Sequence, residues 1–123
     1  MPLSAKLRKS AEFRVVYESG RRYDGLFLTA FVRPNLCGQH RLGITASRKV
    51  ARDAVGRNRV KRLLRESFRL SKASLGELPA TYDWVLNAKR SLLEAKLAAP
   101  LEDFQRVVKR VAGDGGTVDP GGG

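Results

Sequence analysis

The sequence predicts an α+β fold: a single-domain sandwich of a mixed β-sheet packed with helices, in the order α-β-β-(β)-α-β-α. Three observations predict it. Residues 55–72 carry Val60, Leu63, Leu64 and Phe68 at i, i+3, i+4 and i+8, one apolar stripe at helical period. Residues 26–33, 41–47 and 82–88 are rich in strand formers. A strand on either side of the helix makes a β-α-β unit beside an antiparallel hairpin, the layering of an α+β sandwich. The general rule makes such a crossover right-handed, although no residue fixes its hand.

Taken in order, the basic segment through Lys9 is expected to be mobile. Ser10 then caps a helix that carries Glu12 in its first turn, where the dipole favours a negative charge, and that stops at Gly20. Phe13, Val16 and Tyr17 share one of its faces. Arg21, Arg22, Tyr23, Asp24 and Gly25 read as a turn. The strand over 26–33 sets Phe27, Thr29 and Phe31 on one face and Leu28, Ala30 and Val32 on the other. A turn over 34–39 returns the chain as a hairpin into the strand over 41–47.

The basic loop Arg48, Lys49, Val50, Ala51, Arg52 and the long helix follow. Gly76 and Pro79 interrupt the pattern before the strand over 82–88, at whose end stand Lys89 and Arg90. Residues 91–94 read as a short helical turn. Pro100 suits the start of a last helix, with Leu101, Phe104, Val107, Val108 and Val111 in period and Gly113 as its stop. Residues 1–112 are thus expected to form one domain, and residues 113–123 a disordered Gly-rich tail.

The chain of 123 residues carries 24 Lys and Arg against 12 Asp and Glu, a formal charge of +12, and its pI is about 10.7. Such an excess calls for a polyanionic partner, nucleic acid before membrane. No apolar run approaches the roughly 20 residues that span a bilayer. Glu12, Arg14 and Glu18 interrupt any signal-peptide pattern after Lys6, Arg8 and Lys9, so a cytoplasmic location is expected. Cys37 is the single cysteine, expected as a loop thiol. His40 is the single histidine, expected as a polar loop-to-strand residue rather than a metal ligand or general base, which leaves zinc chemistry and histidine triads without a basis.

The charge is concentrated. Residues 41–72 hold eleven Lys and Arg against Asp53 and Glu66. On the helix, Asn58, Lys61, Arg62, Arg65 and Arg69 fall within an arc of about 100° facing away from the apolar stripe, flanked by Arg57 and Arg59 near its start. Guanidinium groups are permanently charged and bond two phosphate oxygens at once, so a row of them suits a nucleic-acid backbone. The run RLGITASRKVARDAVGRNRVKRLLRESFR resembles the signature of the bacterial ribonuclease P protein component. Its Arg57-Asn58-Arg59 follows Ser47-Arg48-Lys49-Val50 and precedes Arg65-Glu66 and Phe68-Arg69 at that family's spacing, and the likeness extends from about Leu7 to Val111.

The resemblance implies a left-handed β-α-β crossover and two RNA-binding surfaces. Arg48, Lys49, Arg52, Arg57, Asn58, Arg59, Lys61, Arg62, Arg65 and Arg69 would dock on the large catalytic RNA of ribonuclease P. Phe13, Tyr17, Phe27 and Phe31, with Lys89 and Arg90 at a rim, would form an aromatic cleft for the single-stranded 5′ leader of precursor tRNA. The acids are dispersed, whereas two-metal hydrolysis needs carboxylates converging on a pair of ions. The resemblance accordingly implies an endoribonuclease holoenzyme whose catalysis and Mg²⁺ belong to the RNA, with no metal bound by a protein motif and no protein partner. Charge alone leaves two other readings open: a structural RNA-binding protein of the ribosome or its assembly, and, more weakly, a self-sufficient nuclease.

Overall fold

The strand in which Tyr82 to Leu86 are buried without a break takes the middle of the sheet, where both of its faces are covered. The computed structural model describes residues 4–7 and 10–116. The elements run β1 (Ser4–Lys6), α1 (Ser10–Ser19), β2 (Arg21–Asp24), β3 (Leu28–Asn35), β4 (His40–Thr45), α2 (Ala54–Leu70), α3 (Lys72–Gly76), β5 (Thr81–Ala88), a 3₁₀ turn (Arg90–Glu94) and α4 (Ala98–Gly116). The sheet order is β1-β4-β5-β3-β2. β4 pairs parallel with β5 and β1, and β3 antiparallel with β5 and β2. The β4-α2-β5 connection is the expected β-α-β unit.

Alternation along the strands divides two cores. Leu28, Ala30 and Val32 of β3 and Tyr82, Trp84 and Leu86 of β5 meet Val60, Leu64 and Phe68 of α2 and Phe104, Val107, Val108 and Val111 of α4. Trp84 is fully buried, 5.5 Å from the Phe104 ring and 6.3 Å from that of Phe68. Across the sheet, Val16 of α1 joins Leu7 and Val85, with Phe13 and Phe31 at the margin. Gly20 ends α1 against β3, where a Cβ would lie 2.5 Å from the Val16 carbonyl oxygen and 3.0 Å from that of Val32.

Four expectations are corrected. Arg21 to Asp24 is strand, not turn: it forms a hairpin with β3 because Tyr23, its one apolar residue, turns into the main core. The strands flanking 34–39 do not pair with each other; β5, buried from Tyr82 to Leu86, lies between them and pairs with both. Part of the N-terminal segment expected to be mobile is β1, with Leu7 buried beyond it and its amide bonded to the Leu42 carbonyl at 2.9 Å. Finally, α4 continues past Gly113 to Gly116, where Asp114 accepts a hydrogen bond of 2.6 Å from the Tyr23 hydroxyl. The tail expected to be disordered otherwise lies, over 117–123, outside the described residues.

Burial and the Asp114 carboxylate push the Tyr23 phenol up to about 12. His40 opens β4, as expected of a loop-to-strand residue, and is buried: its Nδ1 accepts from Tyr82 N–H and Trp84 Nε1–H, and Nε2 donates to the Leu75 carbonyl, each at 3.1 Å. Cys37 is exposed in the loop, as expected. Among the described residues no helix is long and apolar enough to cross a membrane.

Candidate nucleic-acid interface

Asp53 sets the start of α2 by accepting from the Gly56 amide at 2.8 Å, an N-cap that turns the chain out of the basic loop. With Val60, Leu64 and Phe68 buried, the helix must present Asn58, Arg62, Arg65 and Arg69 outward; Lys61 is half-buried. Arg69 is held by Glu66 at 2.6 and 3.0 Å, and that bond keeps the Glu66 carboxyl below its usual range. Arg62 and Arg65 form no ion pair among the described residues, so their charge is available to a ligand.

The other two arginines of the motif point elsewhere. Arg57 donates to the Ala51 and Arg52 carbonyls at 3.0 and 2.7 Å, and Arg59 to those of Leu93 and Ala95 at 2.6 and 2.8 Å. Beside them, Arg48, Lys49, Arg52 and Arg90 line one open cavity of about 1010 Å³ with Val50, Ala51 and Leu93. Arg90, expected at the aromatic rim, thus joins the basic loop instead. Lys89 stays at the sheet, where it donates to the Gly25 carbonyl at 2.6 Å and lies 3.8 Å from Asp24.

The second surface is the α1 face of the sheet. Tyr17, 38% exposed, meets Phe31 edge-on with ring centroids 4.9 Å apart, and Arg22 stacks over Phe31 at 5.9 Å. The Tyr17 hydroxyl donates to Asn87 Oδ1 at 2.9 Å, and Thr45 Oγ1 donates to the same oxygen at 2.6 Å. Phe13 lies one turn back, between a shallow hollow shared with Ser10, Arg14 and Tyr17 and a cavity of about 520 Å³ that reaches Ile44, Lys61 and Arg65.

Phe27 is not brought to this group; it precedes β3 and packs with the main core. Sequence reasoning missed Arg22, Thr45 and Asn87. Thr45 and Asn87 are direct partners across β4 and β5, a signal that pairing the two strands in register would have supplied. Asp24 is held below its usual range by hydrogen bonds from Thr29 and Arg22.

Under the same helix, Asp83 accepts from Arg41 Nε and Nη2, both at 2.7 Å, and from Asn35 Nδ2 at 2.8 Å. Burial alone would raise the Asp83 carboxyl, but these bonds outweigh it and hold the group low. Among the described residues no three His, Cys, Asp or Glu side chains gather where they could hold a metal ion. The chemistry on offer is therefore phosphate binding on one side and base stacking on the other.

The family model described as Ribonuclease P matches residues 1–112. The chain is 42% identical over 105 residues to the ribonuclease P protein component of Methylococcus capsulatus, covering 85% of this chain and 79% of that protein. It is 43% identical over 109 residues to that of Desulfovibrio desulfuricans, covering 87% and 77%. Among solved structures, the RNase P protein from Thermotoga maritima superposes with a TM-score of 0.74 at 27% identity, covering 85% of this chain and 96% of that one. The Staphylococcus aureus RNase P protein gives 0.73 at 25% identity, covering 86% and 94%. With the basic helix and the α1 cleft carried on this same fold, the chain belongs to the ribonuclease P protein component family.

Proposed function

We propose that the chain acts as the protein subunit of ribonuclease P, assisting removal of the 5′ leader from precursor tRNA. The observation that carries this reading is the outward row Asn58, Arg62 and Arg65 on α2, whose arginines have no acidic partner among the described residues and whose opposite side is locked in the core. Unneutralised, such a row repels itself; an RNA backbone relieves that cost and releases counterions. Phosphate contacts give affinity, and selection comes from RNA shape and from Asn58 among the arginines. Lys61 and Arg69 extend the same face. Support also comes from the family membership, which gives no favour to the ribosomal alternative.

The α1 cleft would take the single-stranded leader. Tyr17 and Phe31 offer ring faces and edges, Phe13 extends the floor, and Arg22 and Lys89 supply charge at its margin. Stacking of this kind is worth about 1–3 kcal/mol per base and tolerates sequence variation. Hydrolysis would fall to the catalytic RNA with Mg²⁺ held by that RNA, and a cytoplasmic location is part of the same proposal. Reconstitution tests it: the purified chain should restore cleavage of precursor tRNA by the cognate catalytic RNA at low Mg²⁺. Cleavage by the protein alone, or no effect on the RNA's activity, would count against it.

A further inference from the structure

We infer, resting on the ribonuclease P reading and deepening it, that Asn87 is a specificity-determining residue: the amino end of its carboxamide, turned outward beside Tyr17, selects guanine or cytosine at one position of the single-stranded leader. Asn87 lies near the end of the central strand β5, with Thr29 of β3 and Thr45 of β4 as its partners on either side. Its Oδ1 accepts from the Tyr17 hydroxyl at 2.9 Å and from Thr45 Oγ1 at 2.6 Å. A carbonyl oxygen has two lone pairs, and these two donors fill both. Held from α1 and from β4 at once, the carboxamide could turn its oxygen outward only by abandoning both hydroxyls.

The amino end is left over. Among the described residues Nδ2 has no acceptor, and Asn87 is only half-buried. No side-chain nitrogen or oxygen among those residues is both buried and without a partner, so this nitrogen is reachable from solvent. The hydroxyl bond keeps it beside the Tyr17 ring, which is exposed and braced edge-on by Phe31. A base stacked on that ring brings its edge to the amino group, the way single-stranded RNA is read.

The fixed direction decides which base. An asparagine free to turn pairs with adenine through its oxygen and nitrogen together. Asn87 has only N–H bonds left to give, and these suit an edge with two neighbouring acceptors: N7 and O6 of guanine, or N3 and O2 of cytosine. Adenine sets its N6 amino group between N1 and N7, and uracil its N3 imino group between two carbonyls. On those bases every such acceptor sits beside a donor that Asn87 cannot answer, and a donor left unpaired in a site of this kind weakens binding.

The test uses the holoenzyme reconstituted from the full chain and the cognate catalytic RNA, with precursor tRNAs in which each leader position in turn carries each of the four bases. At one position the parent should bind guanine and cytosine about fivefold or more tighter than adenine and uracil. Asn87→Leu, of similar size and without the donor, should level the four bases there to within about twofold, while other positions keep their pattern. Tyr17→Phe keeps the ring but frees a lone pair on Oδ1, so adenine should rise toward guanine at that same position, a change that a merely packing residue would not produce. This second variant also keeps the inference testable if Asn87→Leu folds poorly. Absence of any such position in the parent, or a guanine-over-adenine gap unchanged in either folded variant, would overturn the inference. So would an even loss over all four bases in Asn87→Leu, the mark of a phosphate contact, or a parental preference for adenine over guanine, which requires an outward oxygen. Failure of the parent chain to restore cleavage by the catalytic RNA would instead sink the ribonuclease P reading, and this inference with it.

Discussion

The ring of Phe13 rests directly on Gly43, so close that a Cβ on residue 43 would lie 2.5 Å from Phe13 Cζ. A side chain there would force the ring, and α1 with it, away from β4. Overpacking of this kind costs about 1–3 kcal/mol. Gly43→Ala should therefore lower the thermal midpoint and, in the folded fraction, weaken precursor tRNA more than the catalytic RNA. A variant that melts and binds like the parent would show that α1 has slack there.

Tyr17 separates stacking from packing. Its ring is partly exposed and its hydroxyl is bonded to Asn87. Tyr17→Ala should cost roughly 1–3 kcal/mol in affinity for precursor tRNA, leave mature tRNA unaffected and lower stability only slightly. Tyr17→Phe should keep most of the affinity. Equal weakening of precursor and mature tRNA in folded Tyr17→Ala would remove the leader from this cleft.

On α2, Arg62→Ala and Arg65→Ala should each reduce the salt slope of catalytic-RNA binding by about one charge without changing the melting temperature. Both side chains are exposed, and among the described residues neither forms an ion pair, so little of the fold depends on them. A salt titration that superposes on the parent's for both variants would clear this face of RNA.

These outcomes follow from features of differing legibility. The α2 stripe, the α1 helix and the α4 period were readable because their side chains recur at the helical spacing along the chain itself. The hairpin of β2 with β3 was not, since Tyr23 is its only apolar residue. Nor was the insertion of β5, which depends on which strand can be covered twice rather than on any local pattern. The bonds of Arg59 to the Leu93 and Ala95 carbonyls were not readable either, since their acceptors come from 34 and 36 residues away. Asn87 and Thr45 needed the strand register before they could meet.

The buried imidazole makes a pH prediction. Burial lowers the His40 pKa from 6.5, and Nδ1 faces two donors, so the folded state holds the ring neutral. The unfolded chain binds the proton first. Stability is then fully present above about pH 6.5 and declines as pH falls from there toward the lower folded value. His40→Gln should remove that decline from the parent's stability curve between pH 7 and 5. A parent curve flat over this range would contradict the neutral assignment.

Asp83 and Arg41 form a pair in which the carboxylate is buried and the guanidinium is also shared with Glu12 at 3.2 Å. Removing one member of such a pair typically costs about 3–5 kcal/mol. Asp83→Ala should fall near the lower end of that range in a urea titration, because Glu12 remains to hold Arg41. A loss below about 1 kcal/mol, the level of an exposed pair, would mean that the site is effectively solvated.

The position of β5 also dictates when the protein can exist. It is the last strand among the described residues, yet every one of its residues pairs with β3 and its centre pairs with β4. A nascent chain that stops short of Thr81 holds one two-stranded piece, β2 with β3, and another, β1 with β4, with no strand to join them. Such pairings over long sequence separations form late and reward the chain only once closed. The arginine-rich helix is synthesised before β5 and α4, which complete the surface it docks on, so its orderly row of charges appears only after β5 has slid between the two halves of the sheet.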